Sequence, residues 1–271
     1  MDPFAPIRNL YAPIQPTIRS TEKNVTYHEF LPHQSLRNFI YCYWQLKTIK
    51  TLANTFNYRV VSDGCIDIFF ELANPNNSFV MGFCRKYTEF PLDNSFNYVG
   101  VRFLPTMFPQ FFGISAAALS NRYENLDNVA PTTSNFVANH MDLSQSTDQI
   151  IFNLDMHFLK LLSHTNFNVD TRLYGAIHLI LQNHGVLRIE DDLDVGLSPR
   201  QLRRLFRHYI GDTPKTFSKV VQFQNILRSK PSKQSLKQNK LFYDIGYYDQ
   251  AHFIKDFKNF YGVTPMKAFN R

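Results

Sequence analysis

The sequence predicts a multidomain α and β protein: an N-terminal β-barrel or half-cupin-like domain with accompanying helices, followed by an all-α domain built from two helix-turn-helix units. Three observations carry this expectation. Up to about residue 105 the chain runs in short aromatic and β-branched segments separated by Asn, Asp, Gly and Pro. Beyond that point apolar residues recur with helical spacing. The last hundred residues contain a twofold repeat: Ser198, Leu202, Arg204, Phe206, Arg207, Gly211 and Pro214 return 51 positions later as Asp249, Phe253, Lys255, Phe257, Lys258, Gly262 and Pro265.

Size and composition agree with two domains. A chain of 271 residues that is 44% hydrophobic and 15% aromatic can build real cores and is not expected to be disordered. Cys42, Cys65 and Cys84 lie far apart, without CxxC or Cys/His metal spacing, and are expected to be reduced and buried. No metal or cofactor is expected. The N-terminus lacks an apolar leader, and no window approaches the roughly 18 apolar residues of a membrane span. The expected location is therefore the cytoplasm, with no membrane partner.

Charge is divided unevenly. Residues 172–271 hold 17 Lys and Arg against 8 Asp and Glu, a net of +9, whereas residues 1–171 hold 12 against 14, a net of −2. A basic third joined to a slightly acidic remainder suggests that one domain meets a polyanion while the other does something else.

Taken in order, residues 1–24 contain Pro3, Pro6, Pro13 and Pro16 and read as an irregular or extended lead-in. Strands are expected at Phe39–Leu46, Tyr58–Val61, Cys65–Leu72, Phe79–Phe83 and Tyr98–Leu104, a spacing that suits an antiparallel sandwich or barrel. A weak helix follows near 106–121. A stronger one at Thr147–Ser163 carries a wide apolar stripe of Ile150, Ile151, Leu154, Phe158, Leu161 and Leu162. That stripe either covers the β domain or pairs with a second copy of the chain. Helices are also expected at Arg172–Asn183 and Lys215–Arg228, with a basic, polar turn at Lys230–Lys240. The implied boundaries are 1–130 for the β-rich domain, 131–171 for a helical linker or dimerisation segment, and 172–271 for the helical domain.

The stretch LSPRQLRRLFRHYIGDTP, residues 197–214, is the most informative. Ser198 can cap a helix start and Pro199 pre-sets its first φ. Arg200, Arg203, Arg204 and Arg207 then form one stripe, while Leu202, Leu205, Phe206 and Tyr209 form an apolar stripe half a turn away. Gly211 suits the left-handed position that ends the helix, and Pro214 stops it. A helix held by one face and offering four guanidinium groups on the other is suited to phosphate and guanine edges. The competing reading is an ordinary solvated helix.

The text LSPRQLRRLFRHYIGDTPKTF followed by GYYDQAHFIKDFKNFYGVTP resembles the DNA-binding domain of the AraC/XylS family of bacterial transcription regulators, over roughly residues 172–269. Residues 25–130 resemble the all-β sensor domain of a subset of these regulators through Tyr43-Trp44, Ser62-Asp63-Gly64-Cys65 and Val99-Gly100-Val101-Arg102-Phe103, with Ser62 and Thr106 departing from the usual Pro and Gly. The resemblance implies base reading by Arg200, Arg203 and Arg204, with Arg207 on phosphate. In the second unit it implies Gln250, Ala251, His252 and Lys255 near the groove and Lys258 on the backbone. Asp192 and Phe242 stand where the family usually has a small Ala in the first helix of each unit.

Enzymatic readings have little support: His28 and His33 make no His-x-His pair, and the chain lacks a P-loop, a dinucleotide-type Gly run and a GxSxG elbow. The expectation is a ligand-responsive regulator that binds double-stranded promoter DNA, with RNA polymerase and a second copy of the chain as further candidate partners. The alternative is a small-molecule binding or interaction protein whose degenerate helix-turn-helix domain lacks specific DNA binding. An effector pocket is expected inside the β region, lined by Tyr41, Tyr43, Trp44, Phe69 and Arg102. Aromatic walls with a single Arg would favour a small, partly apolar anion.

Overall fold

The computed structural model describes residues 4–15, 23–237 and 246–269. Its centre is a six-stranded antiparallel sheet in the order β1-β2-β7-β4-β5-β8, formed by β1 (Val25–Phe30), β2 (Ile40–Thr48), β7 (Asn97–Phe103), β4 (Ile66–Glu71), β5 (Ser78–Met81) and β8 (Tyr123–Asn125). A separate two-stranded sheet joins β3 (Phe56–Val60) to β6 (Thr88–Leu92). The large sheet does not close into a barrel; β1 and β8 are its edges.

Strand alternation gives the large sheet two different faces. One carries Ile66, Ile68, Phe70, Val99, Val101, Phe103 and Tyr43 into the main core. The other carries Cys42, Trp44 and Leu46 toward the β3–β6 ribbon, with Phe69 and Tyr98 packed beside them. Register sets Gly100 opposite both Trp44 and Phe69 on the strands flanking β7. A Cβ at Gly100 would lie 2.1 Å from Trp44 Cε2, so the indole lies directly over the bare backbone. Tyr27, Trp44, Phe69 and Phe79 form an aromatic row across the strands, with successive centroids 6.2, 6.2 and 5.6 Å apart.

Helices cover the first face. The predicted weak helix near 106–121 is split into α2 (Met107–Phe112) and a 3-10 turn, Ala116–Leu119, because Gly113 leaves the helix at φ +67°. After α3 (Leu126–Val129) and α4 (Pro131–Asn139) comes the long helix α5 (Thr147–His164), capped by Ser146. Ile150, Ile151, Leu154 and Phe158 of α5 are buried, and Asp155 accepts from the Tyr43 hydroxyl at 2.9 Å. Ile151 thus serves the chain's own core, and the apolar residues left exposed are Phe152 and Met156, one turn apart.

Residues 5–10 do not follow the irregular lead-in expected for the N-terminus: they form a helix, α1 (Ala5–Leu10), with Pro6 in its first turn, where a missing N–H costs nothing. A helix this short is held by burial, not propensity. Phe4, Ile7 and Tyr11 enter the main core, and the Phe4 ring meets Phe39, Phe167 and Tyr174 at 5.1–5.5 Å.

The C-terminal part contains α6 (Thr171–Gln182), α7 (Ile189–Asp192), α8 (Pro199–Tyr209), α9 (Pro214–Ser229), α10 (Lys233–Lys237), α11 (Gln250–Tyr261) and α12 (Pro265–Phe269). The expected basic turn after α9 therefore includes a helical turn at Lys233–Lys237, while residues 238–240 and the departure noted at Phe242 lie outside the described residues. Asp192 is exposed: its Oδ2 accepts from the Arg188 N–H at 2.7 Å, and the Arg188 guanidinium lies 3.7 Å from Oδ1. The main core is continuous, with Phe4, Tyr43 and Phe103 in the same cluster as Phe206, Phe217, Phe253 and Tyr261.

Candidate nucleic-acid interface

α8 owes its shape to local chemistry. The Ser198 Oγ accepts from the Gln201 N–H at 3.3 Å while the Gln201 Oε1 accepts from the Ser198 N–H at 3.0 Å, a reciprocal capping box. Leu202 and Phe206 are buried beneath it. Arg200, Arg203, Arg204 and Arg207 are exposed and, with His208 and Ser115, line a shallow depression. Arg59, Arg85, Arg172 and Arg188 each hold a carboxylate. Among the described residues none pairs with the four guanidinium groups of α8. Their charge is therefore left to solvent or to a polyanion.

α11 repeats the plan with weaker donors. Asp249 caps it by accepting from the His252 N–H at 2.7 Å, and Phe253, Phe257 and Phe260 are buried. Gln250, Ala251, His252, Lys255 and Lys258 are exposed. His252 is partly committed: its Nε2 lies 3.3 Å from an Asp256 oxygen that also holds the Lys219 ammonium at 2.9 Å. Tyr248, immediately before the cap, is 85% exposed beside this face and was not singled out by sequence. His208 was also missed, although its place one residue after Arg207 puts it beside the arginine stripe.

Both units end in turns that rest on the β-rich part. Gly211, at φ +107°, packs against Phe83 and Ser120, and its carbonyl accepts from the Ser120 hydroxyl. The next residue, Asp212, is buried and pairs with Arg85. In the second unit Asn259 donates to the Arg85 carbonyl at 2.9 Å and accepts from the Tyr87 N–H at 3.1 Å. Arg85 thus touches one unit through its side chain and the other through its backbone. The segment after α1 adds a third contact: Gln224 of α9 accepts from the Ile14 N–H and donates to the Ser62 carbonyl, both at 2.7 Å.

Behind these turns, between the large sheet and the β3–β6 ribbon, lies a cavity of about 310 Å³. Of the five residues named from sequence, Trp44, Phe69 and Arg102 line it and Tyr41 and Tyr43 do not. The correction follows from the pleat: Tyr43 points to the opposite face from Trp44. Tyr41, next to an irregularity in β2, lies instead under the Arg8 guanidinium, 4.9 Å from its ring centre. Sequence missed the ribbon residues Tyr58, Phe90 and Leu92 and the acids Asp63 and Asp67, which also line the cavity.

Residues 194–271 match a family described as a helix-turn-helix domain. Together with the twice-built capped helix, that match decides what this part is. It is a helix-turn-helix domain. The helix-turn-helix domain is preceded by a match of residues 28–125 to a family described only as a domain of unknown function, DUF6597. The chain is 34% identical over 101 residues to an uncharacterized HTH-type transcriptional regulator of Haemophilus influenzae, an alignment covering 36% of this chain and 33% of that protein. It thus spans about a third of the length of that relative. Among solved structures, an apo variant of ToxT from Vibrio cholerae aligns with 93% of this chain and 99% of its own, at 10% identity and a TM-score of 0.45. Wild-type ToxT bound to unsaturated fatty acid aligns with 92% and 97%, at 10% identity and a TM-score of 0.37. Among the described residues no helix is long and apolar enough to cross a membrane, and no group of three or more His, Cys, Asp or Glu side chains is placed to hold a metal.

Proposed function

We propose that the chain is a sequence-specific, DNA-binding transcriptional regulator of the cytoplasm that responds to a small effector. Its working parts are a sensor (residues 1–130), a connecting segment (131–171) and the AraC-type domain (172–271). In this reading Arg200, Arg203 and Arg204 read bases in one major groove and Arg207 holds phosphate. Gln250, Ala251, His252 and Lys255 approach a second groove, with Lys258 on the backbone. Gln250 can pair with adenine and Ala251 can offer only a methyl contact to thymine, so the second box is read less strictly. The observation that carries the proposal is the row of four exposed arginines that have no carboxylate partner among the described residues, on a helix whose opposite face is buried.

Footprinting on the DNA flanking its own gene tests this. Protection of one defined site with two boxes supports it. Retention on random DNA without a protected site favours the second reading, a small-molecule binding protein with a degenerate helix-turn-helix domain. The exposed pair Phe152 and Met156 on α5 supports a homodimer face, and a promoter-bound regulator would meet RNA polymerase.

A further inference from the structure

Arg102 was the reason to expect an anionic ligand, and its surroundings reverse that expectation. Its side chain is 1% exposed, and each of its three nitrogens already has an oxygen partner. Nε and Nη2 reach the two oxygens of Asp67 at 3.2 and 2.9 Å. Nε also lies 3.4 Å from Asp63. Nη1 has the Tyr27 hydroxyl at 3.4 Å and Glu29 at 3.8 Å. One cation therefore faces three carboxylates, two of which line the cavity.

Exposure follows the same order. The Asp63 and Asp67 side chains keep 9% and 13% of their surface where Arg102 keeps 1%, so the charge offered to the cavity is negative. The Trp44 N–H, a donor an anion could use, is already given to Asp67 at 3.0 Å. Burial pushes the Asp67 carboxyl up and Arg102 pulls it down, but Asp63 raises it again and it stays above the ordinary carboxylate range. The cluster sets three carboxylates against one arginine; Asp63 also accepts from the Gln15 amide at 2.8 Å and the Cys65 N–H at 3.0 Å, neutral donors that leave its charge uncancelled.

The walls point the same way. Phe69 and Phe90 meet at 6.2 Å and 68°, Phe90 and Tyr123 at 5.7 Å and 63°, and Phe79 and Tyr123 at 5.8 Å and 86°. Tyr123 is half exposed, which places it at the mouth. Aromatic side chains lining a small space offer π electrons that attract cations.

We infer that this cavity binds a small organic cation, an amine carried on an aromatic or apolar body, with the ammonium against Asp63 and Asp67 and the body among Trp44, Phe69, Phe79 and Phe90. Its volume lies at the lower end of the roughly 300–1,000 Å³ of ligand pockets, so the guest is small. This inference rests on the sensor reading above, and the test separates the two.

The full chain is titrated calorimetrically with three probes of one shape: 2-phenylethylamine, 2-phenylethanol and 3-phenylpropionate. The amine is expected to bind at least about tenfold more tightly than the alcohol, a difference of about 1.4 kcal/mol, with the carboxylate weakest. Asp67→Asn and Asp63→Asn should each abolish most of that preference while leaving alcohol binding in place, which also shows that the variants fold. A carboxylate that binds as well as the amine, an amine no better than the alcohol, a preference surviving both substitutions, or no binding by any probe overturns the inference. DNA affinity is measured in parallel. If the carboxylate or alcohol binds best and shifts it, the sensor reading survives while the cation is refuted; if the amine binds best and leaves DNA affinity unchanged, the cation site stands and the sensor role falls.

Discussion

Replacing Gly211 by Ala tests whether the first unit is docked on the β-rich part. Gly211 sits at φ +107°, and an Ala there pays backbone strain of about 1–2 kcal/mol. Its new Cβ would also lie 2.9 Å from the Phe83 Cβ and 2.9 Å from the Ser120 Oγ, with the Ala116 carbonyl at 3.3 Å. The Phe83 and Ala116 atoms cannot swing aside as side-chain tips do, so overpacking should add about 1–3 kcal/mol. Gly196 is the control, because it has φ +70° and nothing within 4 Å, so Ala there pays strain alone. Gly262 is intermediate: at φ +95° its neighbour at 3.1 Å is the Arg59 guanidinium, which can move. Urea melts of the three variants should rank Gly196→Ala as mildest, then Gly262→Ala, then Gly211→Ala, with the extremes separated by about 1–3 kcal/mol. Equal losses at Gly196 and Gly211 would refute the docking, since strain is common to both and the contact with Phe83 and Ser120 is not.

Further outcomes are expected. Arg203→Ala and Arg204→Ala should each cost about 1–3 kcal/mol on the specific site and relax base preference there, while Arg207→Ala weakens all sequences alike; equal losses on specific and random DNA contradict the assignment. Inserting about 5 bp between the two boxes should sharply reduce affinity, because it turns them to opposite faces of the duplex; unchanged affinity means that one unit engages. Phe152→Ser with Met156→Ser should convert a dimer to a monomer in sedimentation, and a wild-type chain that stays monomeric with and without DNA removes that face as an interface. His157, stacked on Phe136 at 4.1 Å, is lowered to about 4 by burial and by Lys160, whereas the unfolded chain titrates near 6.5. Its stabilisation is present above about pH 6.5 and is lost as pH falls toward about 4. His157→Gln should flatten that part of the stability profile, and an unchanged slope counts against it.

What the sequence disclosed was what local chemistry decides. Ser198 and Asp249 cap because of the residues three positions on, and Gly211 and Gly262 end their helices through φ. The grouping of Trp44, Phe69 and Arg102 was also legible, since aromatics and an arginine stand out in short strands. The face of Tyr43 was not, because period-2 alternation is silent on which side a strand buries until its partners are known. α1 escaped notice because its stability lies in Phe4 and Ile7 meeting residues more than thirty positions away. The edge strands β1 and β6 have no apolar run to announce them. Asp63 and Asp67 looked like turn and strand residues, and only the fold sets them around Arg102. Arg85 and Asp212 are 127 residues apart, and neither carries a local sign of the other.

The place of Trp44 has an optical consequence. It is the only tryptophan in the chain, and it lines the cavity with its ring over Gly100 and its N–H on Asp67. Indole emission is sensitive to nearby charge and to water, so every photon collected at the red edge of protein absorption comes from this one wall. A guest entering the cavity would change the colour or yield of that light without any label, and the helix-turn-helix domain contributes no indole background. DNA added to the empty protein would leave that light untouched unless α8 and α11 share a conformational equilibrium with the cavity. The chain thus carries a built-in reporter in the wall of this cavity.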